Sequence, residues 1–527
     1  MLLTAVIFAP LLGALALYLA PARMKSLQRS IAVAASGITL ALSLGLAVRF
    51  DWAHPIPQLG ATAPWIPSIG AAYLVAVDGL SLPFLLLTTL LIFLCVAYAW
   101  REQRRPREYY ALFLVMETGL LGFFATFDLL LFYFFFEISL VPMYFIIGLW
   151  GHERAREAAM KFFLYTRVGA LALLLAILAL YLAVQPHTFD LRAIIAAQPF
   201  AGAGVGPSLV LLGFFLAFAI KLPVVPLHSW LPDAHTEAPT EGSVALAGLL
   251  LKLGGYGFLR VALPTVPGAF QQWGLWLGAL AVISAIYGAA AAMAQSDLKR
   301  LVAFSSVNHM GYVLLGIAVA GAAGVSAADR VTAATGAAYQ MVAHGLVTGG
   351  LFFLVGMLAD RTGTREIARL SGLWTSLPLW GALLALAMFA SLGLPGLAQF
   401  PAEAQIVLGT LGFNIWLAVG MLVAILITTA MFLWTLQRVL LGKVADQWAR
   451  LPQLTPRELV AVVPLAALII GLGVFPGPLS SLLSAALRAG PLAPLMSLIA
   501  LAKPLASDIA GLASGLATTL GHALAGG

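Results

Sequence analysis

Apolar stretches long enough to cross a membrane recur from one end of the chain to the other, separated by short polar segments. About 20 helical residues span the roughly 30 Å hydrocarbon core of a bilayer. The pattern therefore predicts an all-α polytopic membrane protein with about fourteen transmembrane helices. We expect the helix cores at 2–20, 30–48, 79–99, 109–127, 128–150, 160–184, 208–230, 242–262, 273–294, 301–321, 331–359, 374–398, 414–437 and 459–476.

Composition supports a membrane protein and excludes several other classes. The chain is 62% apolar and 9% charged, whereas a soluble domain carries about 25% charged residues. The net charge of +7 comes from basic loops and is no sign of nucleic-acid binding. Cys95 is the single cysteine, so neither a disulfide framework nor a zinc or iron–sulfur site can be built from thiols. We expect no cofactor and no metal on this chain.

The basic residues lie mostly in alternate loops, those after predicted helices 1, 3, 5, 9, 11 and 13. By the positive-inside rule these loops are cytoplasmic and the N-terminus is outside. The loop after predicted helix 7 is an exception, because Asp233, Glu237 and Glu241 make it acidic. The first apolar run begins at Met1 without a basic segment before it, which indicates a membrane helix rather than a cleavable signal peptide.

Two of the predicted helices contain matching interruptions. Helix 7 breaks at Lys221-Leu222-Pro223, and helix 12 breaks at Leu394-Pro395-Gly396. Proline removes a backbone donor, and irregular backbone at membrane depth persists only where protein or a water-filled cavity satisfies it. The breaks are five helices apart, and a repeat with an odd number of helices is inverted relative to its copy. The spacing predicts two inverted five-helix repeats.

These repeats define the expected organisation of the chain. Residues 109–262 form the first repeat, with helices 4–8, and residues 273–440 form the second, with helices 9–13. Residues 1–108 precede them and residues 441–527 follow. We expect the proline-rich segment 49–78 to be an irregular cap on the outer face. Residues 480–523 are expected to form one or two helices on or re-entering the outer surface, and a fifteenth span stays open.

Four charged residues lie within apolar helices: Glu137, Lys221, Lys252 and Glu403. A charge at the centre of a bilayer costs about 2.5–3.5 kcal/mol or more, so it persists only with a partner or a function. Structural roles are possible for each, such as a hydrogen-bonded buried glutamate, a snorkelling lysine or a helix cap. We favour proton transfer, with an ion pair between Glu137 and Lys221 that acts as a switch.

Three histidines lie in or near the predicted helices: His228, His309 and His344. Histidine titrates in the physiological range, so these rings are candidates to pass protons between the lysines and Glu403. A hydrogen-bonded core histidine is the structural alternative for each. Metal binding is disfavoured, because no two histidines have ligand spacing on one helix face. Ser305, Ser306, Asn308, Gln340 and Thr348 are polar neighbours able to hold a chain of water molecules.

Several long motifs carry a resemblance to a known family. They are MKFFLYT (160–166), KLPVVPLHSWLPDAHTEAPT (221–240), SDLKRLVAFSSVNHMGYVLLG (296–316), YQMVAHGLVTGGLFFLVGML (339–358) and LGLPGLAQFPAE (392–403). In this order they resemble the antiporter-like membrane subunits of respiratory complex I, in particular chain 4, or subunit M of bacterial NADH–quinone oxidoreductase. The resemblance extends over residues 75–475 of the chain.

The resemblance implies a proton-pumping subunit with no redox centre of its own, in the bacterial inner membrane. It implies that Glu137, Lys221, Lys252 and Glu403 are the central proton-transfer residues, with His228, His309 and His344 along the same axis. Implied partners are the other membrane and peripheral subunits of complex I, including neighbouring antiporter-like subunits, and the lipid bilayer. A nucleic-acid partner is not expected.

The chain departs from the family pattern at three places. Arg167 stands where a small or uncharged residue is usual, and Glu241 stands where alanine or proline is usual, so we consider an ion pair between them. Ala404 and Gln405 follow Glu403, where phenylalanine is common.

Three alternatives to a complex I subunit stay open at this point. The first is a subunit of a sodium/proton antiporter, and the second is a subunit of a hydrogenase- or ferredoxin-linked membrane complex. The third is a membrane scaffold without transport activity, which the cost of four buried charges argues against.

Overall fold

A computed structural model describes residues 1–102 and 104–497, and this part of the chain is mostly helical. The helices are α1 (Leu2–Leu19), α2 (Lys25–Arg49), α3 (Ser81–Tyr98), α4 (Pro106–Ala125), α5 (Leu129–Trp150), α6 (Ala155–Ala183), α7 (Leu191–Ala197), α8 (Val205–Lys221), α9 (Trp230–Glu237), α10 (Thr240–Ala245), α11 (Lys252–Gly257), α12 (Leu263–Thr265), α13 (Pro267–Met293), α14 (Leu298–Gly321), α15 (Ala327–Thr362), α16 (Leu373–Ser376), α17 (Pro378–Ser391), α18 (Gln399–Leu411), α19 (Ile415–Leu440), α20 (Pro456–Val474) and α21 (Gly477–Ala489).

Twelve helices in the described ranges are long and apolar enough to cross a membrane. One of them is the continuous span Thr240–Thr265, which consists of α10, α11 and α12 joined by two π-helical turns, Leu246–Leu250 and Phe258–Ala262. The prediction of a polytopic helical membrane protein is therefore confirmed. Two shorter apolar helices, α8 and α17, precede the predicted interruptions. The inverted relation between the two repeats stays a prediction.

Three spans form the centre of the bundle: Thr240–Thr265, α14 and α15. In each of them, every residue of the most apolar window is buried by the rest of the protein. The peripheral helices α2 and α20 bury only 28% of the corresponding window and present apolar side chains such as Ile38 and Val463 on their outer faces. The central spans are thus shielded by other helices, and they carry Lys252, His309 and His344.

The segment 49–78 differs from its prediction as an irregular cap. Strand β1 (Gln58–Ile66) pairs antiparallel with β2 (Ala71–Val77), and Gly70 closes the turn with a φ of 68°. The prolines misled the prediction. Pro64 lies in an edge strand and Pro67 at the turn, where a missing N–H is tolerated, and Pro55 and Pro57 precede the strand. The hairpin is anchored by Asp128, whose carboxylate accepts hydrogen bonds from the Ala72 N–H at 2.8 Å and the Leu131 N–H at 2.9 Å.

The C-terminal region contains a further helix, α21, and its expected place on the outer surface stays a prediction. Helix α21 buries Leu483 and Leu487 against the bundle, and Ser480 at its start accepts a hydrogen bond from the Gln405 amide at 3.1 Å. Gln405, a departure from the family pattern, therefore fastens α18 to α21. Residues 498–527 lie outside the described residues, and a fifteenth span there stays an open alternative.

The acidic segment after predicted helix 7 meets the basic loops at one end of the bundle. Asp233 on α9 accepts hydrogen bonds from Lys161 at 2.7 Å and from Arg300 at 3.3 Å. The Glu237 carboxylate accepts from the Arg154 N–H at 2.9 Å. This acidic segment was the exception to the positive-inside pattern in the sequence. Its carboxylates are thus bound by basic residues on neighbouring segments.

His152, in the loop between α5 and α6, adds no charge to this end of the bundle. Burial, together with the positive charges of Lys299 and Arg365, lowers the pKa of His152 to about 4, so the ring is neutral at physiological pH. Its backbone N–H donates to the Glu237 carbonyl at 2.9 Å. The loop thus joins α9 through its backbone rather than through a further charge.

A buried ion pair connects α3 to the span Thr240–Thr265. The Arg260 guanidinium donates to Asp78 at 2.6 Å, and both side chains are 4% exposed. The Arg260 Nε also donates to the Tyr256 hydroxyl at 3.0 Å, and Asp78 accepts from the Ser81 N–H at 2.9 Å. This group fixes the start of α3 against the end of the central span.

We expect Asp78→Asn to lower the free energy of unfolding by about 3–5 kcal/mol, because it leaves Arg260 as a buried charge without its counter-ion. The asparagine oxygen can still accept from the Leu80 and Ser81 N–H groups, as Asp78 does, so the loss reports the charge. Asp190→Asn is the matched control: Asp190 caps α7 and pairs with the exposed Arg192, and its loss should change stability by less than about 0.5 kcal/mol. Apparent melting temperatures in detergent test this, and equal shifts for the two variants would contradict it.

Candidate proton-transfer site

The first interruption lies between α8 and α9 and ends α8 at Lys221. The Ile220 carbonyl, which has no helical partner past the break, accepts a hydrogen bond from the Trp230 indole at 2.9 Å. The Val225 N–H donates to the Ser284 hydroxyl at 3.2 Å. Side chains thus replace the lost helical hydrogen bonds, as they must where no bulk water is available.

The second interruption lies between α17 and α18 and places Glu403 one turn into α18. The Gln399 amide, in the orientation that satisfies both of its ends, donates to the carbonyls of Ser391 at 3.0 Å and Ala390 at 3.2 Å. Gly393 turns the chain with a φ of 78°, and a Cβ at this position would overlap Oε2 of Glu403. The carboxylate therefore lies against the bare backbone of Gly393.

Lys252 lies in the central span as the first residue of α11, two residues after the end of the first π-helical turn, and is fully buried. Its ammonium donates to the Ala247 carbonyl within that turn, and it contacts Nδ1 of His344 at 2.8 Å. Since an ammonium can only donate, Nδ1 of His344 is the acceptor and the ring proton is on Nε2. A lysine without a carboxylate partner is thus held by one carbonyl and one imidazole.

The contacts continue from His344 towards Glu403. The rings of His344 and His309 lie with their centroids 5.5 Å apart. Nδ1 of His309 is 4.0 Å from Oε1 of Glu403, and its Nε2 is 3.2 Å from the Ser391 hydroxyl. Four of the predicted residues therefore form one line through the centre of the bundle: Lys252, His344, His309 and Glu403.

A polar cluster flanks His309 on its own helix and on α19. Asn308 donates to the Ala285 carbonyl at 2.9 Å and contacts the Tyr312 hydroxyl at 3.0 Å, and Thr428 donates to Asn308 at 3.1 Å. The Tyr312 ring stands perpendicular to the His309 ring at 5.7 Å. Tyr312 and Thr428 were not predicted from the sequence, where a lone hydroxyl in an apolar helix carries little signal.

Lys221 and Glu137 do not form the ion pair predicted for them. Glu137 accepts from the Arg167 guanidinium at 2.6 Å, while Lys221 Nζ lies over the rings of Phe136 and Phe162 at 5.0 and 5.5 Å. Within the described ranges, Lys221 Nζ and the second carboxylate oxygen of Glu137 have no hydrogen-bond partner. The arginine on the adjacent helix displaced the expected partner, because it reaches the carboxylate with a charge-assisted hydrogen bond.

The suggested ion pair between Arg167 and Glu241 is also wrong. Arg167 lies twelve residues into α6, about 18 Å along the helix from Ala155, whereas Glu241 is the second residue of α10. The Glu241 carboxylate accepts instead from the Tyr109 hydroxyl at 3.1 Å. Arg167 and Glu241, the two departures from the family pattern, thus lie at different depths and bind different partners.

His228 lies apart from the line of the other two histidines, in the segment between α8 and α9. Its ring packs edge-on against Tyr287, with centroids 5.0 Å apart, and against Phe304 at 6.3 Å. His235 lies between predicted helices 7 and 8, where a polar loop was expected, but it is fully buried on α9 and stacks on Phe352 at 4.5 Å. Its two ring nitrogens lack hydrogen-bond partners among residues 1–102 and 104–497.

Among residues 1–102 and 104–497, no three His, Cys, Asp or Glu side chains are grouped as metal ligands. The site contains titratable side chains within the membrane, each on a different helical segment. Such groups exchange protons when they are in contact or bridged by water.

Comparisons with known proteins agree with this architecture. Subunit M of NADH-quinone oxidoreductase from Rhodobacter capsulatus is 39% identical over 464 residues, which cover 86% of this chain and 88% of that protein. A chain of respiratory complex I from Thermus thermophilus superposes with a TM-score of 0.82 at 34% identity, covering 93% of this chain and 99% of that chain.

A chain of the Mrp complex from Dietzia shares the fold, with a TM-score of 0.79 at 24% identity, covering 93% of this chain and 51% of that one. Residues 126–428 match the family described as the transmembrane region of NADH:quinone oxidoreductase and Mrp antiporters. This match and the relatives above show that the chain belongs to the NADH:quinone oxidoreductase/Mrp antiporter family of membrane subunits.

Proposed function

We propose that this chain is the proton-translocating, non-redox membrane subunit of an NADH–quinone oxidoreductase. Electron transfer in partner subunits drives protons along Lys221, Lys252, His344, His309 and Glu403. The observation that carries the proposal is the line of contacts from Lys252 to Glu403, buried at the centre of the bundle. A scaffold gains no stability from such a line, since each buried polar group without a full set of partners costs free energy.

The proton moves by exchange between neighbouring groups. The Lys252 ammonium passes its proton to Nδ1 of His344, with which it is in hydrogen-bond contact. His344 then releases the proton on Nε2 towards His309, and His309 delivers one to Glu403 from Nδ1. The last gap, 4.0 Å, closes by a small movement of the carboxylate or by one bridging water molecule. The lysine is reloaded from Lys221 on the adjacent α8.

The interrupted helices make this exchange controllable. Lys221 ends α8 and Glu403 lies one turn into α18, so each is attached to a short helix that can shift against the central spans. Movement of a partner subunit against either short helix changes the distance to the next group and opens or closes the path. Coupling of this kind requires no redox centre on the chain itself.

The proposed orientation follows from the basic loops. With the N-terminus outside, α9 and its basic neighbours face the cytoplasm, and α18 lies in the outer half of the membrane. Protons then enter from the cytoplasmic side at Lys221 and leave to the outside from Glu403. The protein would reside in the bacterial inner membrane, in contact with the other membrane and peripheral subunits of complex I, including neighbouring antiporter-like subunits.

We expect Lys221→Ala and Lys252→Ala to reduce NADH-driven acidification of inverted membrane vesicles to about a tenth or less, because a positioned acid–base group contributes at least about 100-fold to a proton transfer. Lys443→Ala, in an exposed loop, is the matched control and should acidify as the wild type does. Native gels check assembly. Wild-type acidification in an assembled Lys252→Ala complex would refute the proposed path, and acidification independent of NADH would favour an antiporter.

Gly393→Ala tests the position of Glu403 without removing a titratable group. The added Cβ overlaps Oε2 of Glu403 and so displaces the carboxylate from its place opposite His309. We expect acidification to fall about tenfold, as transfer steps are sensitive to displacements near 1 Å. Gly396→Ala is the control: it has a similar backbone conformation, with a φ of 90°, but no neighbour within 4 Å of the added Cβ. An equal loss in both variants would attribute the effect to backbone strain.

A further inference from the structure

The ion pair between Arg167 and Glu137 is the feature of the path that the proposed function leaves unexplained. Arg167 Nη1 donates to Glu137 Oε2 at 2.6 Å. The arginine side chain is 48% exposed and the glutamate 15%. Both groups lie far from the ends of their helices, about 18 Å along α6 from Ala155 and about 12 Å along α5 from Leu129, with the arginine on the exposed side of α6. A guanidinium at this depth is not a surface charge of the cytoplasmic face.

Glu137 has one carboxylate oxygen in use and one free. Oε1 is buried without a hydrogen-bond partner in the described ranges, and Lys221 Nζ is in the same condition. Glu137 is the charged group that acts electrostatically on Lys221, whose Nζ lies over the rings of Phe136 and Phe162. Two cations on neighbouring helices, Arg167 and Lys221, therefore interact with the single carboxylate of Glu137, and Arg167 forms the hydrogen bond to it.

The two cations differ in what they can do with a proton. Arginine stays protonated in proteins, so Arg167 acts only as a fixed charge and donor. Lysine can lose its proton when its counter-ion leaves. The position of the Glu137 carboxylate, on Arg167 or on Lys221, thus decides whether Lys221 keeps its proton.

We propose that Arg167 is a positioning residue that competes with Lys221 for Glu137. With Glu137 on Arg167, as in the structure described here, Lys221 has no carboxylate partner and passes one proton on towards Lys252, becoming a neutral amine. When Glu137 turns to Lys221, the amine takes up one proton from the cytoplasmic side and keeps it. Arg167 gains and loses no proton. This inference rests on the proposed function, since it assigns a role within the same path.

The other titratable groups near Glu137 and Arg167 do not compete for the Glu137 carboxylate as a cation would. Tyr133, one turn before Glu137 on α5, interacts with both Glu137 and Arg167. On α4, Glu117 is fully buried, and no charged group in the described part of the chain acts on it. On α8, Lys221 is the facing cation. Of these groups, Arg167 and Lys221 carry the positive charges that Glu137 can choose between.

Arg167→Gln tests the proposal in inverted vesicles from cells expressing the full complex. Glutamine is uncharged, so Glu137 stays with Lys221, which keeps its proton to higher pH and releases it slowly. We expect the maximal NADH-driven acidification to fall and the pH at which it declines on the alkaline side to rise by about 1 unit. Arg167→Lys keeps the charge and should restore the wild-type profile. Arg156→Gln, exposed near the start of the same helix, is the control and should leave rate and profile unchanged.

The outcomes separate this inference from the proposed function. Wild-type acidification by Glu137→Gln and Lys221→Ala complexes would overturn the function itself. If those variants lose acidification while Arg167→Gln keeps the wild-type rate and pH profile, only the competition is overturned. A lower rate with an unshifted profile, or loss of assembly in Arg167→Gln, would show a purely structural arginine and reject the inference. A shifted profile restored by Arg167→Lys supports it.

Discussion

The contact between the Lys252 ammonium and the His344 imidazole is the interaction on which the centre of the molecule depends. Lys252 is fully buried in a span that is itself enclosed on all sides, so its charge must be satisfied by protein groups. A π-helical turn brings the Ala247 carbonyl to the ammonium, and α15 brings His344. Gly254 lets α8 approach the same span, because a Cβ there would overlap the Phe218 carbonyl oxygen. The π-helical turn thus satisfies the buried charge, and the glycine permits the close packing of α8.

Two helix interruptions give the remaining charged groups their positions, and each is stabilised in a different way. At the first, the Trp230 indole and the Ser284 hydroxyl replace missing backbone partners. At the second, a single amide, that of Gln399, serves two carbonyls. Unsatisfied backbone at this depth would cost several kcal/mol for each group, so these side chains are required by the breaks. They also keep α8 and α18 as separate short helices, to which Lys221 and Glu403 are attached.

Much of the helical architecture can be predicted from the sequence, because hydropathy and proline report burial in lipid and loss of a backbone donor directly. The line from Lys252 to Glu403 was predicted as a set of residues for the same reason: a charge in an apolar run has few explanations. Which partner each charge chooses was not predictable. Glu137 contacts Arg167 rather than Lys221, and this depends on the rotation of α5 and α6 about their axes. His235 was overlooked because the short helix α9 resembles a polar loop in sequence.

Several buried polar atoms without hydrogen-bond partners among the described residues indicate that this region serves function rather than stability. Lys221 Nζ, His344 Nε2, His309 Nδ1 and both polar ends of the Gln340 side chain are buried without hydrogen-bond partners in the described part of the chain. A fold selected for stability alone would pair or replace such groups, since each costs about 1–3 kcal/mol. Lys221 Nζ and the two histidine nitrogens belong to groups of the path proposed for the proton, and Gln340 lies one turn before His344 on α15. Water entering at these points would complete the path, and its exclusion would interrupt the path. The cost of the unpaired groups is therefore consistent with a conduit that conducts in one conformation of the short helices and is closed in another.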